Sequence, residues 1–252
     1  MVGAALVMLY YFILISPLLL MTLRLLLTNV LIPHFKKLDK KKQLSQRPDW
    51  PNIKNKIHIL ELLYKKVHAK SASKWYRLLN FIHNKEFIYG EIDFLSFYTI
   101  LERVSPSKQD VFYDLGSGSG KAVLSAMWFF NVKKSIGIEL LPPLYHQSHL
   151  QLAQSNQWFV HNQIENIQFI NDSFLDYDFG DADIIYVAAT CLNDNTWNLL
   201  ISKMASLKPS TRIIVATRMI LHEQFECLYQ GIELMSWGLC PVKIYKIKQN
   251  AI

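Results

Sequence analysis

The stretch VFYDLGSGSGKAVLSAMWFFNVKKSIGIE, residues 111–139, gathers the residue types most able to do chemistry in this chain. Asp114 ends an apolar run and stands two residues before Gly116, Ser117, Gly118, Ser119 and Gly120. Lys121 opens the next segment, and a second apolar run closes on Glu139, 19 residues after Gly120. Glycines lack a Cβ, so the main chain over 116–120 can turn sharply and let a ligand approach its amides. The two carboxylates are pure acceptors when ionised. Asp114 can pair with an ammonium group.

In a G-x-G-x-x-G site a pyrophosphate rests on the first helix N-terminus. Here the third glycine comes one residue early, and Asp114 would repel a phosphate. S-adenosylmethionine has an α-amino group, a ribose and no phosphate. The residues therefore point to that cofactor rather than to a nicotinamide or flavin dinucleotide. A glycine-rich loop by itself is a weak signal. The strand, loop, helix and strand-terminal acid together carry the reading.

The elements that must hold these residues follow from apolar runs and their punctuation. Strand 111–115 leads to helix 119–130, and strand 135–139 to helix 144–158. Strands 166–170 and 183–188, helix 194–206 and strand 211–217 come next. Runs at 232–237 and 242–247 are expected to close the sheet as an antiparallel pair. This alternation predicts an α/β chain with a doubly wound, Rossmann-like sheet and ligands at the carboxyl ends of its strands. Asp114, Glu139, Asp172 and the loop 188–193 all fall at such ends. Upstream, Asp93 is placed to cap a helix over 94–104, and 55–83 reads as helical with mixed faces.

The N-terminus adds a different expectation. Residues 2–23 hold no charged side chain. In a helix they would cover about 33 Å at roughly 1.5 Å per residue, enough for a hydrocarbon core of about 30 Å. No Lys or Arg precedes the run and no small-residue cleavage site closes it, which disfavours a signal peptide. The expected organisation is a transmembrane helix over 1–24, a basic linker and helical region over 25–80, and a catalytic domain over 81–252. Residues 36–77 hold 13 Lys/Arg against Asp39, Asp49 and Glu61. Within a whole-chain charge of +7 this leaves residues 78–252 mildly acidic, at −4. Basic residues beside a span favour the cytosolic side, so a single-pass protein with a cytosolic catalytic domain is expected. Attraction of the linker to anionic headgroups explains its charge more simply than nucleic-acid binding does. Cys191, Cys227 and Cys240 are widely spaced, form no metal pattern and fit a reducing compartment.

Further segments narrow the reading: FIYGEIDF (87–94), FINDSFLDYDF (169–179) and MSWG (235–238). With D-L-G-S-G-S-G-K and G-I-E they resemble the disruptor-of-telomeric-silencing family of non-SET histone lysine methyltransferases and its bacterial and protist relatives, over roughly residues 81–248. The Y-G-E element separates this group from general class I methyltransferases. The resemblance implies a class I fold, S-adenosylmethionine as donor and a protein lysine as acceptor. It places Tyr89, Glu91 and Ile92 over the methionine end of the cofactor. Asp114, Gly116, Ser117, Gly118, Gly120 and Lys121 lie beneath, with Glu139 on the ribose and Asp172 and Ser173 at adenine. The family's asparagine-and-phenylalanine motif after the fourth strand is replaced here by VAATCLND, residues 187–194. There Thr190 and Asn193 are the polar groups available to the acceptor, beside the candidate catalytic pair Tyr89 and Glu91. Asp194 is expected to cap the next helix, and Cys191 to be a small buried residue.

The sulfonium of the donor is already activated, so catalysis should come from aligning a neutral amine in a desolvated channel, without a metal or an obligate general base. The anchor-plus-methyltransferase layout is similar to that of mitochondrial lysine methyltransferases acting on ATP synthase c-subunits. Two other readings remain open on the sequence: methylation of a lipid or quinone, and cofactor binding without catalysis.

Overall fold

The computed structural model describes Pro17 and residues 19–82, 89–235 and 238–249, in two compact units divided between Trp50 and Pro51. In the first unit, residues 19–26 are helical and pass through a π-helical turn, Leu27–Leu31, into α1, Ile32–Ser45. Leu19, Leu20, Met21 and Leu25 point in different directions around this helix and are all exposed. Among the described residues no helix is long and apolar enough to cross a membrane. Residues 2–16 and Leu18, most of the expected span, lie outside the described residues.

The second unit is built on one seven-stranded sheet: β1 (Val111–Leu115), β2 (Lys134–Ile138), β3 (Ile167–Ile170), β4 (Ile184–Ala188), β5 (Arg212–Ala216), β6 (Phe225–Met235) and β7 (Gly238–Ile247). Their order is β3-β2-β1-β4-β5-β7-β6, parallel from β3 to β5, with β7 antiparallel to both neighbours. Strands buried on both faces read as continuous apolar runs, which is why β1 and β4 stand out in the sequence. β6 begins earlier than the run at 232–237 indicates. As an edge strand it leaves Glu226, Cys227 and Leu228 exposed and slips register between Cys227 and Tyr229, so its alternation is broken.

Helices cover both faces. On one, α4 (Phe94–Glu102) sets Phe97 edge-on to Phe112 and Tyr186, with ring centroids 6.2 and 5.4 Å away. Beside it, α5 (Lys121–Phe130) is tied to β2 where Ser135 Oγ donates to the Val123 carbonyl at 2.7 Å. On the other face Tyr113, Ile185 and Val187 pack with Trp197 and Leu200 of α8 (Asp194–Ala205). Between them in sequence lie α6 (Pro142–Ser155) and a single turn, α7 (His161–Glu165), which buries nothing and left no apolar signal.

The helical region expected as one stretch over 55–83 forms two helices, α2 (Trp50–Tyr64) and α3 (Ala69–Leu79). Lys65 and Val67 amides turn back to the Leu62 and Tyr64 carbonyls and close α2. Tyr64, buried, fixes that end by donating to the Ser119 carbonyl at 3.0 Å. Asp93 caps α4 as expected, its Oδ1 accepting from the Leu95 and Ser96 amides at 3.1 and 3.2 Å.

Candidate functional site

The strand order reverses between β1 and β4, the position at which open α/β sheets bind ligands. After β1 the chain turns so that the Gly116 and Ser117 amides both donate to the Ile138 carbonyl at 2.9 Å. Gly116, Gly118 and Gly120 hold φ of +89°, +53° and +82°, a region that L side chains rarely adopt. Among the described residues nothing lies within 4 Å of where a Cβ on Gly116 would stand, so they leave that edge of the loop open. At Gly118 the same atom would come within 2.1 Å of the Tyr89 ring, so the two residues are fitted to each other.

Glu139, just past β2, is buried. Its Oε2 accepts from the Gly118 amide and its Oε1 from the Leu141 amide, both at 2.8 Å. Burial pushes its pKa up, and the amides of Leu141, Gly118 and Leu140 oppose that. Asp114 has no such support. It is 3% exposed, and no hydrogen bond or ion pair reaches it among the described residues. Burial, with the Glu139 charge as second cause, raises its pKa well above the usual carboxylate range. A cation placed there would relieve that cost.

Tyr89 and Glu91 form a brace over the loop. The Tyr89 hydroxyl donates to Glu91 Oε1 and lies 2.8 Å from Ser119 Oγ. Ser119 Oγ donates to Glu91 Oε1 at 3.0 Å, and Lys121 Nζ pairs with Glu91 Oε2 at 3.4 Å. Burial, then the Glu91 charge, raise the Tyr89 phenol well above its ordinary value. Lys121 also lies 4.3 Å over the Phe94 ring.

A cavity of about 460 Å³ opens beside this loop. Tyr89, Gly116, Glu139, Ser173 and Thr190 line it, as expected of site residues. Residues not singled out from the sequence complete it: Leu140, Leu141 and Leu144 after β2, Phe174 and Leu175 after β3, and Cys191, Leu192 and Thr196 after β4. Apart from Thr196, their apolar character made them look like core. Asn171 was also missed. Its Nδ2 donates to the Glu139 and Leu140 carbonyls at 2.8 and 3.1 Å and pins the turn that carries the acid.

Several expected site residues stand elsewhere. Ile92 is buried and bridges Met235 of β6, holding the 89–93 segment to the sheet edge. Ser117 Oγ is buried against Gly137 with no hydrogen-bond partner among the described residues, and Gly120 packs on Phe169 and Ser148. Asp172 is exposed and outside the cavity lining, with its Oδ1 accepting from the Ser173 amide at 2.7 Å. Asn193, not Asp194, caps α8: its Oδ1 accepts from the Thr196 amide at 2.9 Å, and it is not among the residues that line the cavity. Asp194 instead pairs with Arg218 at 2.8 Å. Thr190 Oγ1 lies 2.7 Å from Thr217 Oγ1. Cys191 is half-buried in the cavity wall rather than enclosed. Phe87 and Ile88 of the Y-G-E segment, and Ser236 and Trp237, lie outside the described residues.

The profile of the family described as "Histone methylation protein DOT1" matches residues 68–248, well over half of the chain. The chain belongs to the DOT1 family. Among relatives of this DOT1-family chain, the Caenorhabditis elegans "Histone-lysine N-methyltransferase, H3 lysine-79 specific" is 32% identical over 148 residues, which cover 52% of this chain and 15% of that one. A "Protein-lysine N-methyltransferase" of Saccharolobus islandicus is 28% identical over 117 residues, covering 46% of this chain and 66% of that one. The chain thus spans between 15% and 66% of the length of these two relatives. In three dimensions, TrmN from Thermus thermophilus superposes with a TM-score of 0.53 at 15% identity, covering 65% of this chain and 51% of that one, a likeness of fold. S-adenosylmethionine is the cofactor of the DOT1 family, and the site fits it. The Gly116 turn, the amide-held carboxylate of Glu139, the buried carboxylate of Asp114 and the apolar wall of Leu140, Leu141 and Phe174 suit a molecule with an ammonium, a ribose and a purine.

Proposed function

We propose that this protein is an S-adenosylmethionine-dependent protein-lysine N-methyltransferase. The observation that carries the reading is the pair of buried strand-end acids beside the glycine turn, one carboxylate held by amides and the other with no side-chain partner among the described residues. In this reading Glu139 takes the ribose hydroxyls, and Asp114 meets the ammonium of the methionine end over Gly116 and Gly118. Ser173 and Phe174 border adenine, with Asp172 at the rim. Tyr89, braced by Glu91, Ser119 and Lys121, covers the methionine end.

The cofactor supplies a methyl on an activated sulfonium. The chain supplies alignment and exclusion of water, because the acceptor end of the cavity is bordered by Ala188, Cys191 and Leu192, with Thr190 and Thr196 as its hydroxyls. A lysine entering there loses its proton more readily, since an apolar wall disfavours the ammonium. Tyr89 stays a neutral phenol at physiological pH, its hydroxyl donating a hydrogen bond to Glu91 and accepting one from the Ser119 amide.

We read residues 1–24 as a single-pass membrane anchor with residues 81–252 on the cytosolic side, so the acceptor lysine belongs to a protein at or near a membrane. The uncharged run 2–23 and the apolar side chains exposed all round residues 19–26 support this, because a helix apolar on every side needs an apolar surrounding.

The test is incubation of the protein with labelled methyl donor and a membrane extract, followed by acid hydrolysis. Methyl-lysine in the hydrolysate is expected. Label in the lipid phase would replace the acceptor by a lipophilic small molecule, and cofactor binding without label anywhere would leave a binding protein.

A further inference from the structure

Helix α3 carries three separate faces. Ala69 is buried against Leu141 and Leu144, and Tyr76 packs on the same cluster with Tyr89; these three partners all line the cavity. Lys70, Lys74 and Arg77 run along one flank at helical spacing. The remaining face holds Trp75, Leu78 and Leu79, which are 62, 54 and 74% exposed.

The helix end extends that apolar face. Phe81 stands at φ +53°, with the Ile82 amide donating to the Arg77 carbonyl at 2.8 Å, the bond pattern that normally ends a helix on glycine. An aromatic residue in this place keeps its ring 80% exposed. Four large apolar side chains within about two turns, rimmed by cations and with no acid anywhere in α3, is not an ordinary solvated helix surface.

We propose that the outer face of α3 docks into an anionic lipid bilayer, with Trp75, Leu78, Leu79 and Phe81 in the headgroup region and Lys70 and Lys74 against lipid phosphates. Tryptophan and phenylalanine beside lysine is the composition of helices that lie in a membrane interface. A second copy of the chain suits the face less well. A twofold contact sets the same surface against itself and brings the Lys70–Lys74 flanks together. The lipid surface then stands one helix diameter from the cavity, about 10 Å, so the acceptor is a lysine carried close to the membrane plane. That last step rests on the methyltransferase reading; the docking itself does not.

The test uses the full chain in phosphatidylcholine vesicles, with or without phosphatidylserine, containing lipids brominated near the headgroup. Bromine quenches tryptophan emission at contact, and the difference between wild type and Trp75→Phe isolates Trp75 from the other five tryptophans. The expected result is stronger quenching of wild type than of Trp75→Phe in anionic vesicles. Lys70→Glu with Lys74→Glu should shrink the difference, and so should high salt, since surface attractions are screened. A Leu78→Ser, Leu79→Ser variant should also lose it. Equal quenching of wild type and Trp75→Phe would overturn the proposal. So would a Trp75-dependent change in detergent that grows with protein concentration, the mark of a second copy, or one that appears only on adding an acidic peptide. Titrating the same samples with S-adenosylmethionine tests the cofactor reading separately, since quenching does not depend on it.

Discussion

Asp114 and Glu139 show how the same functional group is treated differently by its surroundings. Glu139 keeps two amide donors, while the Asp114 carboxylate is buried with neither donor nor cation among the described residues. Its folded pKa is therefore raised above an unfolded value of about 3.9. Folding then favours the protonated acid, so this contribution to stability is full below pH of about 4 and is lost as pH rises through the folded value. Asp114→Asn should raise the melting temperature of the cofactor-free protein at neutral pH, by about 2–4 °C for each kcal/mol gained, with no gain in acid. Calorimetry should show weaker S-adenosylmethionine binding in the same variant. An unchanged melting temperature would mean that the carboxylate has found a partner. Glu139→Ala removes an acceptor of charge-assisted bonds worth about 1.5–3 kcal/mol each. Its dissociation constant for the cofactor should rise at least about tenfold. Gly118→Ala drives a Cβ into the Tyr89 ring and should weaken cofactor binding, whereas Tyr89→Ala makes room for it. If the double variant binds more tightly than Gly118→Ala alone, the fit of the two residues is the cause.

At the scale of elements, two helix caps carry different consequences. Asp93 caps α4 and its amide donates to the Leu234 carbonyl at 3.4 Å, so it fastens the Y-G-E segment to the sheet edge as well. Asn193 caps α8, with its side chain outside the cavity lining. Losing either cap costs about 1 kcal/mol. Asp93→Ala and Asn193→Ala should therefore lower the melting temperature by similar amounts, while only Asp93→Ala reduces cofactor affinity. Equal affinities in both variants would detach the 89–93 segment from the site. The Asp93 cap was legible because a short acid followed by Phe94, Leu95 and Tyr98 at helical spacing is a local pattern. The choice of Asn193 over Asp194 was not. Both are good caps one residue apart, and the decision rests on Arg218, 24 residues further along, which takes Asp194.

At the scale of the whole molecule, charge is divided along the chain. Residues 78–252 carry the acidic balance and the cavity, and residues 36–77 the basic excess. With residues 1–24 as an anchor, the full chain should remain in the membrane fraction after alkaline carbonate extraction, a treatment that strips proteins held by charge alone. Release into the supernatant would remove the anchor from the account. The sequence alone determined the parallel sheet, the glycine turn and its two flanking acids, because these depend on neighbours a few residues apart and on apolar runs that must be buried. Only the tertiary structure decided which side chains face the cavity. Glu91 reaches Ser119 and Lys121 across 28 and 30 residues, Tyr89 closes over Gly118, and Leu140, Phe174 and Cys191 become walls instead of core. The physical reason is that a side chain's direction is set by long-range packing, which no local pattern encodes.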